Sequence, residues 1–263
     1  MLWKIMMMSA MLLMPLATQA MQEPSETAIQ ASAQNGEIDD QYVQRILSSN
    51  DVAAFNELIR SGLDVNSKDA DGNTMLFFVL THNDDLTMAE NLIKAGADVN
   101  MPSANGMTPI IVATSKANEL ILQKMMLDAV QKNDQAEQYK TEARVQEIVE
   151  QQMVRAVKML EMLMQNGADI NQETPMGTPL MNAATNDMNL IMVKMLLEAG
   201  ANVNQQDRSG RTALFYARMF QSDNVENLLI KSGADVDIKD KTGLTYLETE
   251  TSMKNEKDRL STP

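Results

Sequence analysis

His82 is the only histidine in the chain, and the chain has no cysteine. Any mechanism that needs an imidazole must therefore use His82, and thiolate zinc sites, cysteine nucleophiles and disulfides are excluded. His82 lies within residues 81–85 (THNDD), where neighbouring carboxylates could support a general base. No motif places a nucleophile beside it, and a polar segment of this kind is typical of a solvated turn between helices. The sequence therefore argues against an enzyme.

Residues 69–73 (DADGN) resemble the start of a calcium-binding loop. An EF-hand loop has Gly at its sixth position and Glu at its twelfth. Here Gly stands at the fourth position and Leu80 at the twelfth. A tight hairpin turn explains the segment better, because Asp and Gly both tolerate the backbone angles of such turns.

Two groups of methionines carry soft thioether ligands of the kind that Cu(I) prefers. They are Met159, Met162 and Met164, and Met188, Met192 and Met195. Their spacing is that of the buried side of a helix, and Leu takes the same stripe in related segments, so we interpret them as core residues. A Met-rich periplasmic copper-handling protein is the alternative function. Otherwise we expect no cofactor and no metal.

The first 20 residues (MLWKIMMMSAMLLMPLATQA) have the three parts of a secretory signal peptide. Lys4 precedes the apolar run Ile5–Leu16, and small residues follow up to Ala20. The run is shorter than the about 20 residues that a membrane-spanning helix needs. We expect cleavage near Ala20, a flexible linker at 21–37, no membrane anchor after cleavage, and a periplasmic protein. Release into the medium is the alternative.

The chain carries 22 Lys and Arg against 36 Asp and Glu, a formal net charge of −14. A surface of this sign repels nucleic acid phosphates and anionic lipid headgroups. We therefore expect no nucleic acid partner. The expected partner is a protein.

Two short strings recur along the chain at a nearly fixed distance. The first is GLDVN at 62–66, GADVN at 96–100, GADIN at 167–171, GANVN at 200–204 and GADVD at 233–237. The second is TML at 74–76, TPI at 108–110, TPL at 178–180, TAL at 212–214 and TYL at 245–247. The glycines of the first string are 34, 71, 33 and 33 residues apart. Two linked strings of this kind indicate a repeat protein.

Each unit has a physical interpretation. A Gly just before the Thr, as in Asn105-Gly106, suits a short hairpin turn. The Thr can cap a first helix, and Pro109 occupies the first helical position, where its missing N–H costs nothing. A second helix follows with apolar residues at i, i+3 and i+4, as in 189–198, and Gly200 then suits a left-handed helix end.

This unit of about 33 residues, with its T-P-L and G-A-D-V-N strings, resembles the ankyrin repeat. The resemblance covers roughly Asp40 to Leu247 and implies an all-α solenoid of helix-turn-helix units joined by short β-hairpin loops. No copy has the His that follows T-P-L in the family, which predicts the loss of a local hydrogen bond. We expect a repeat domain at 38–247, with units at about 38–68, 69–102, 103–173, 174–206, 207–239 and 240–258, and a polar C-terminal cap or tail at 248–263.

One unit is longer than the rest. The 71-residue glycine spacing exceeds a 33-residue period by 38 residues, which we place at about 118–155. This stretch has no Gly and no Pro, so it can stay helical. Two apolar stripes, Leu120, Ile121, Met125, Met126 and Val130 and then Val145, Ile148, Val149, Met153 and Val157, flank the polar segment 131–135. We predict a helical hairpin, either an inert elaboration or a device for partner specificity.

In ankyrin relatives, the hairpin tips and the exposed ends of the first helices line a concave surface that binds proteins. The resemblance implies these partner-binding residues: Asp71, Asn73, His82, Asn105, Met107, Lys116, Arg208, Arg211 and Phe220. Arg and aromatic residues dominate interface energetics, so the set from Arg208 to Phe220 is the main candidate. The alternative is a solvated hairpin with a partly buried Phe220.

We therefore expect a monomeric, non-enzymatic, exported protein that binds a partner protein through this surface and the insertion. One version of this function is an inhibitor or immunity-type protein of an exported enzyme or toxin. Protection or assisted folding of an exported enzyme is another.

Overall fold

The computed structural model describes residues 40–83, 85–115 and 135–249. Outside the described residues lie the predicted signal peptide and linker, and residues 250–263. Lys116 and the first half of the predicted insertion also lie outside them. The chain divides into two units, residues 1–43 and 44–263. Of the first, only residues 40–43 are described, as the first turn of helix α1.

The described residues are mostly helical, and pairing between extended segments is limited there to isolated bridges at Lys68–Thr74 and Thr174–Gly177. The helices are α1 Asp40–Ser49, α2 Val52–Arg60, α3 Met75–His82, α4 Thr87–Lys94, α5 at 109–115, α6 Gln135–Gln165, α7 Pro179–Ala183, α8 Leu190–Glu198, α9 Ala213–Met219, α10 Asp223–Lys231 and α11 at 246–249. A short 3-10 turn, Asp187–Asn189, precedes α8. The predicted all-α fold is confirmed. Among these helices, none is both long and apolar enough to cross a membrane.

The helices pack in pairs, and neighbouring pairs pack on one another. The pairs α3–α4, α7–α8 and α9–α10 are in contact, as are α7 with α9 and α8 with both α6 and α10. The core between them is apolar, with Leu76, Leu80, Leu92, Leu160 and Leu214 almost completely buried. Each unit therefore buries its apolar side against the next, as the repeat predicts.

The Thr of the second string directly precedes the first helix, but the predicted side-chain cap forms at Thr74 and Thr178 and is absent at Thr212. Thr74 Oγ1 accepts from the N–H of Phe77 at 3.1 Å, and Thr178 Oγ1 accepts from the N–H of Met181 at 3.2 Å. Met181 occupies the place where the family has His, and its Sδ accepts the N–H of Thr178 at 3.4 Å. A local acceptor has therefore replaced the missing imidazole in this unit, whereas the sequence predicts the loss of the hydrogen bond.

The last residue of the G-A-D-V-N string links each unit to the next. Asn66 donates from Nδ2 to Gly96 O at 3.1 Å and accepts from the N–H of Asp98 at 2.7 Å. Asn100 makes the same two contacts with Gly167 and Asp169, 67 and 69 residues along the chain. The link between loops therefore continues past the insertion without a break.

The hairpin turns approach one another closely. Gly106 has a φ of +74°, and a Cβ placed on it would lie 2.9 Å from the Pro175 ring. Gly210 has a φ of +78°, and its Cβ would lie 3.0 Å from the backbone nitrogen of Lys241. Both positions therefore require Gly for two reasons, the left-handed backbone and the lack of space for a side chain.

Helix α6 is much longer than the other second helices. It runs as one helix of 31 residues through the predicted end of the insertion at residue 155 and on to the residues that precede Gly167. The described half of the insertion is therefore continuous with the second helix of its unit, and residue 155 is not a structural boundary.

Candidate interaction surface

His82 and Phe220 occupy the same position in their units, eight residues after the Thr that begins the first helix. Lys116 and Asn186 hold this position in the two units between them, although Lys116 lies outside the described residues. We use the name first-helix face for the residues four, seven and eight positions after that Thr. In the units that begin at Thr74, Thr108, Thr178 and Thr212 they are Phe78, Thr81, His82, Val112, Ser115, Lys116, Asn182, Thr185, Asn186, Tyr216, Met219 and Phe220.

At the N-terminal end of this face, His82 is the last residue of α3 and is exposed. Its ring stacks on Phe78, with 4.4 Å between centroids and 18° between planes. His82 Nδ1 lies 2.8 Å from Thr81 Oγ1 and 3.0 Å from Phe78 O. These contacts fix the orientation of the imidazole, so that the Phe78–His82 pair presents a preformed aromatic surface.

At the C-terminal end, the Phe220 side chain is 44% exposed and follows directly after α9. Tyr216, one turn earlier, donates its hydroxyl to Asp207 Oδ2 at 2.7 Å. Burial raises the pKa of Tyr216, and the hydrogen bond to the Asp207 carboxylate raises it further, so the phenol is a neutral donor. This end of the face is therefore also aromatic.

Small polar residues separate the two aromatic ends. Ser115 Oγ donates to Asn182 Oδ1 at 3.2 Å and so joins α5 to α7, and Thr185 Oγ1 donates to Asn182 O at 2.8 Å. None of the twelve residues of the first-helix face is Asp or Glu, in a chain with 36 of them. Depletion of charge with aromatic enrichment is typical of the central part of a protein–protein interface.

The predicted hairpin residues differ in exposure. Asp71 and Asn105 are exposed at their tips, whereas Asn73 and Met107 are half-buried. The Asn73 N–H donates to Asp69 Oδ1 at 2.8 Å, so its backbone holds the turn together. Within this set, Asp71 and Asn105 are therefore the side chains most available to a partner.

The two predicted arginines of the hairpin at 207–211 have different environments. The Arg208 side chain is 80% exposed and lies 3.6 Å from Glu173. The Arg211 side chain is 20% exposed, and its Nε donates to Asp240 Oδ2 at 3.4 Å. Exposed ion pairs contribute little to stability, so Arg208 can change partner at small cost. Arg211 instead joins one hairpin to the next.

Sequence reasoning missed Arg155, which is 9% exposed in the middle of α6. Its Nη2 donates to Asn83 O and, at 3.2 Å, to Leu80 O near the end of α3. Asn83 Nδ2 donates in turn to Leu47 O at 2.6 Å. A positive charge and its N–H groups suit a helix C-terminus, where carbonyls lack partners. Arg155 therefore ties the insertion helix to the repeat core.

A groove of about 630 Å³ lies between α4 and α6. Its walls carry both signs of charge, with Glu90 and Lys94 on α4 and Lys158 and Glu161 on α6. Val154, 54% exposed, lies on the α6 wall. The outer side of α6 thus adds mixed charge and an apolar side chain to the surface beside α4.

Five of the six methionines suggested for copper contribute to the packing. Met159 and Met192 are completely buried in the core, and Met162, Met164 and Met195 are half-buried. Met188 is 40% exposed. Among the described residues, no group of three or more His, Cys, Asp or Glu side chains could hold a metal ion.

Comparison with known proteins agrees with the repeat. The family profile described as ankyrin repeats (3 copies) matches residues 43–136 and 149–240. The fold is similar to an ankyrin repeat domain from Acinetobacter baumannii AYE, at 23% sequence identity and a TM-score of 0.60, over 81% of this chain and 92% of that one. No curated protein matches the sequence significantly. Ankyrin repeats indicate a protein–protein interaction module of a generally non-enzymatic kind. This chain belongs to the ankyrin repeat family.

Proposed function

We propose that this chain is an exported, non-enzymatic protein that captures a partner protein on the first-helix face, the hairpin tips and the insertion. The first-helix face carries the proposal. Its two aromatic ends, Phe78–His82 and Tyr216–Phe220, flank a polar centre without carboxylates. Aromatic side chains supply most of the energy of typical interfaces, and preformed ones lose little entropy on binding.

The insertion extends this surface. At 1.5 Å per residue, the 31 residues of α6 span about 46 Å, against about 14 Å for the nine residues of α8. Arg155 holds α6 on α3, so the preceding helical turns have a fixed base. We propose that a partner bound by the repeats also contacts these turns of α6.

Within this function, inhibition or masking of an exported enzyme or toxin is the version we favour. The predicted signal peptide would deliver the protein to the compartment where such enzymes act. A rigid surface that needs no reordering suits tight, continuous inhibition. Protein protection or scaffolding would use the same surface, and the activity of the captured partner distinguishes these roles.

Partner capture from the exported fraction by the tagged full chain tests the surface. The variant H82A/F220A should lower recovery of the partner by about tenfold or more, because it removes an exposed side chain from each aromatic end. The matched control I191A/I230A removes two exposed apolar side chains from α8 and α10. Equal recovery with both variants would exclude the first-helix face. A captured enzyme that loses activity in the complex supports inhibition.

A structure-guided deletion tests the insertion. Removing 116–152 reduces the spacing from Thr108 to Gly167 from 59 to 22 residues, the spacing from Thr178 to Gly200, and keeps Arg155. We expect weaker capture without loss of the thermal unfolding transition. V154D, a surface change on the exposed side of α6, is the companion variant in case the deletion does not fold. Unchanged capture by both would make the insertion an inert elaboration.

Export is tested by the N-terminus of the protein recovered from cells. Cleavage near Ala20 removes Trp3, the only tryptophan of the chain. Mass spectrometry should find a chain that begins near Met21, and the protein should show no indole fluorescence. Retained Trp3 in the cytoplasmic fraction would contradict the proposed location.

A further inference from the structure

We infer that two neighbouring hairpins, at 205–212 and 238–245, bind an acidic segment of the partner protein. They do so through a cationic patch formed by Arg208, Lys239 and Lys241. The inference rests on the proposed function and names the chemistry of the partner at one part of its surface. The chain as a whole has a net charge of −14, so three exposed cations on neighbouring hairpins differ in sign from the overall charge of the protein.

The carboxylates of these hairpins are occupied within the hairpins. Asp207 Oδ1 accepts from the N–H groups of Ser209 and Arg211, both at 2.8 Å, and its Oδ2 accepts from Tyr216. Asp207 therefore shapes its turn, and its carboxylate oxygens are held by groups of the chain itself.

Asp240 has the same role in the next hairpin. Its Oδ1 accepts from the N–H and hydroxyl of Thr242 and from the N–H of Leu244, and its Oδ2 accepts from Arg211. The Asp240 side chain is 2% exposed. Both carboxylates thus accept several hydrogen bonds from their own turns, and Asp240 is also buried.

The three cations lie on adjacent hairpins, where Arg208 faces Glu173. Hydrogen bonds from Thr245 lower the pKa of Glu248, and the charge of Lys239 helps to lower it. Arg208, Lys239 and Lys241 are all exposed. The Lys241 N–H donates to Ser209 O at 2.9 Å, and Gln206 Nε2 donates to Lys239 O at 3.2 Å. The two strips of backbone that carry these cations are therefore held directly against each other.

Three charges suit a few carboxylates of a protein better than a polyanion. Glu173 already lies 3.6 Å from Arg208 and shows that this position accepts a carboxylate. Exposed Asp235 and Asp237 precede Lys239 in the chain, and with the overall negative charge they oppose a longer polyanion such as nucleic acid. The Tyr216–Phe220 end of the first-helix face belongs to the first of these hairpin units, so an acidic segment here would continue into the proposed interface.

The test is an NMR titration of the full chain with a short peptide of alternating Glu and Gly, at low and at physiological ionic strength. We expect amide shifts concentrated at 205–212 and 238–245, and weaker binding at the higher ionic strength. R208E/K239E/K241E should weaken peptide binding about tenfold or more. The matched control K94E/K194E/K231E makes the same change in net charge on the second helices and should leave the affinity nearly unchanged.

Shifts absent, spread over the whole chain, or lost equally in both triple variants would overturn the inference. A larger response of the same amides to a single-stranded oligonucleotide would assign the patch to nucleic acid and would also overturn it. The proposed function fails separately. If H82A/F220A abolishes partner capture while the peptide does not bind, the first-helix face stands and the cationic patch does not. If the peptide binds as expected but H82A/F220A leaves capture intact, the cationic patch stands and the first-helix face does not.

Discussion

Helices α6 and α8 occupy equivalent places in consecutive units, yet they begin differently. Both end just before a Gly with positive φ, Gly167 and Gly200. Counting back from these glycines by the same number of residues pairs Arg155 with Met188. Met188 is 40% exposed in a 3-10 turn, whereas Arg155 is 9% exposed inside a continuous helix.

The comparison shows how a repeat accommodates an insertion. In the regular unit, Asn186 Oδ1 accepts the N–H of Met188 at 2.9 Å and helps to start the second helix there. In the long unit no helix begins at the equivalent residue, because α6 already runs through it from the insertion. A buried charged side chain instead connects the arriving helix to the neighbouring unit.

The hairpin side of the long unit remains regular. Gly106 approaches Pro175 as Gly210 approaches Lys241, and Asn100 reaches Gly167 as Asn66 reaches Gly96. Within the described part of the long unit, the insertion therefore changes the helix edge and leaves the hairpin edge as it is elsewhere. Substitutions at the helix edge and at the hairpin edge of the long unit should therefore have different effects.

The largest expected effect is at Arg155. R155M keeps much of the apolar stem but removes the donors to Leu80 O and Asn83 O, which leaves buried carbonyls without these partners. The loss should lower the free energy of unfolding by about 2 to 4 kcal/mol. Urea unfolding followed by circular dichroism measures it.

M188A, the equivalent position in the regular unit, is the control for R155M. It removes a partly exposed side chain and should cost about 1 kcal/mol or less. An unchanged free energy of unfolding for R155M would show that apolar packing alone holds α6 in place. It would contradict the proposed difference between α6 and α8.

The next effect concerns the hairpin edge. G106A and G210A each place a Cβ about 3 Å from a neighbouring hairpin, at a left-handed backbone position. Each should therefore cost more than the about 1 kcal/mol of the left-handed conformation alone. Gly243, at φ +82° with no neighbouring atom within 4 Å, is the control, and G243A should cost only that amount.

Thermal unfolding of the three glycine variants gives their order. Similar losses for G106A and G210A would confirm that hairpin packing passes the insertion unchanged. If G106A behaved like G243A, the long unit would have a looser hairpin edge than the regular ones.

A smaller effect is expected at the loop links. N100A removes the donor to Gly167 O and the acceptor of the Asp169 N–H, while N204A removes the matching contacts with Gly233 and Asp235. Each should cost about 1 to 2 kcal/mol. Hydrogen exchange of the Asp169 and Asp235 amides measures the local opening. A much smaller response to N100A than to N204A would mean that the insertion uncouples the loops.

The repeat could be predicted from the sequence because its signals are local. Each Gly is needed for its own backbone angle, and Thr74 and Thr178 each accept an N–H three residues along the chain. The contact in which Met181 accepts an N–H in place of the family His is also local. The sequence did not predict it, because no sequence pattern marks a Met thioether as an acceptor.

The missed features depend on distant contacts. Arg155 reaches residues 72 and 75 positions away, and only the packing of α6 on α3 makes that contact visible. Phe78 and Tyr216 have the helical spacing of core residues, so their place on the first-helix face needed the structure. The candidate residues His82 and Phe220 came from the family register, and their predicted role in binding remains a prediction.

The smallest expected effect is a pH dependence of local stability in the hairpin at 240–244. Burial raises the pKa of Asp240, but hydrogen bonds from Thr242, Leu244 and Arg211 outweigh it, so the pKa lies below its usual value of 3.8. A lowered folded-state pKa adds stability above pH 3.8, and that stability is lost as the pH falls further through the folded value. Acid should therefore loosen the C-terminal hairpin.

The long unit has Ser103 where the C-terminal hairpin has Asp240. Ser103 Oγ accepts the Met107 N–H at 3.2 Å and does not titrate, so the hairpin edge of the long unit should not share this loss. Hydrogen exchange of the Leu244 and Met107 amides, measured above and below pH 3.8 and corrected for intrinsic rates, makes the comparison. D240N should remove the pH dependence at Leu244. Equal loosening of both hairpins in acid would instead indicate a response of the whole repeat array, because a single carboxylate acts only where it is bound.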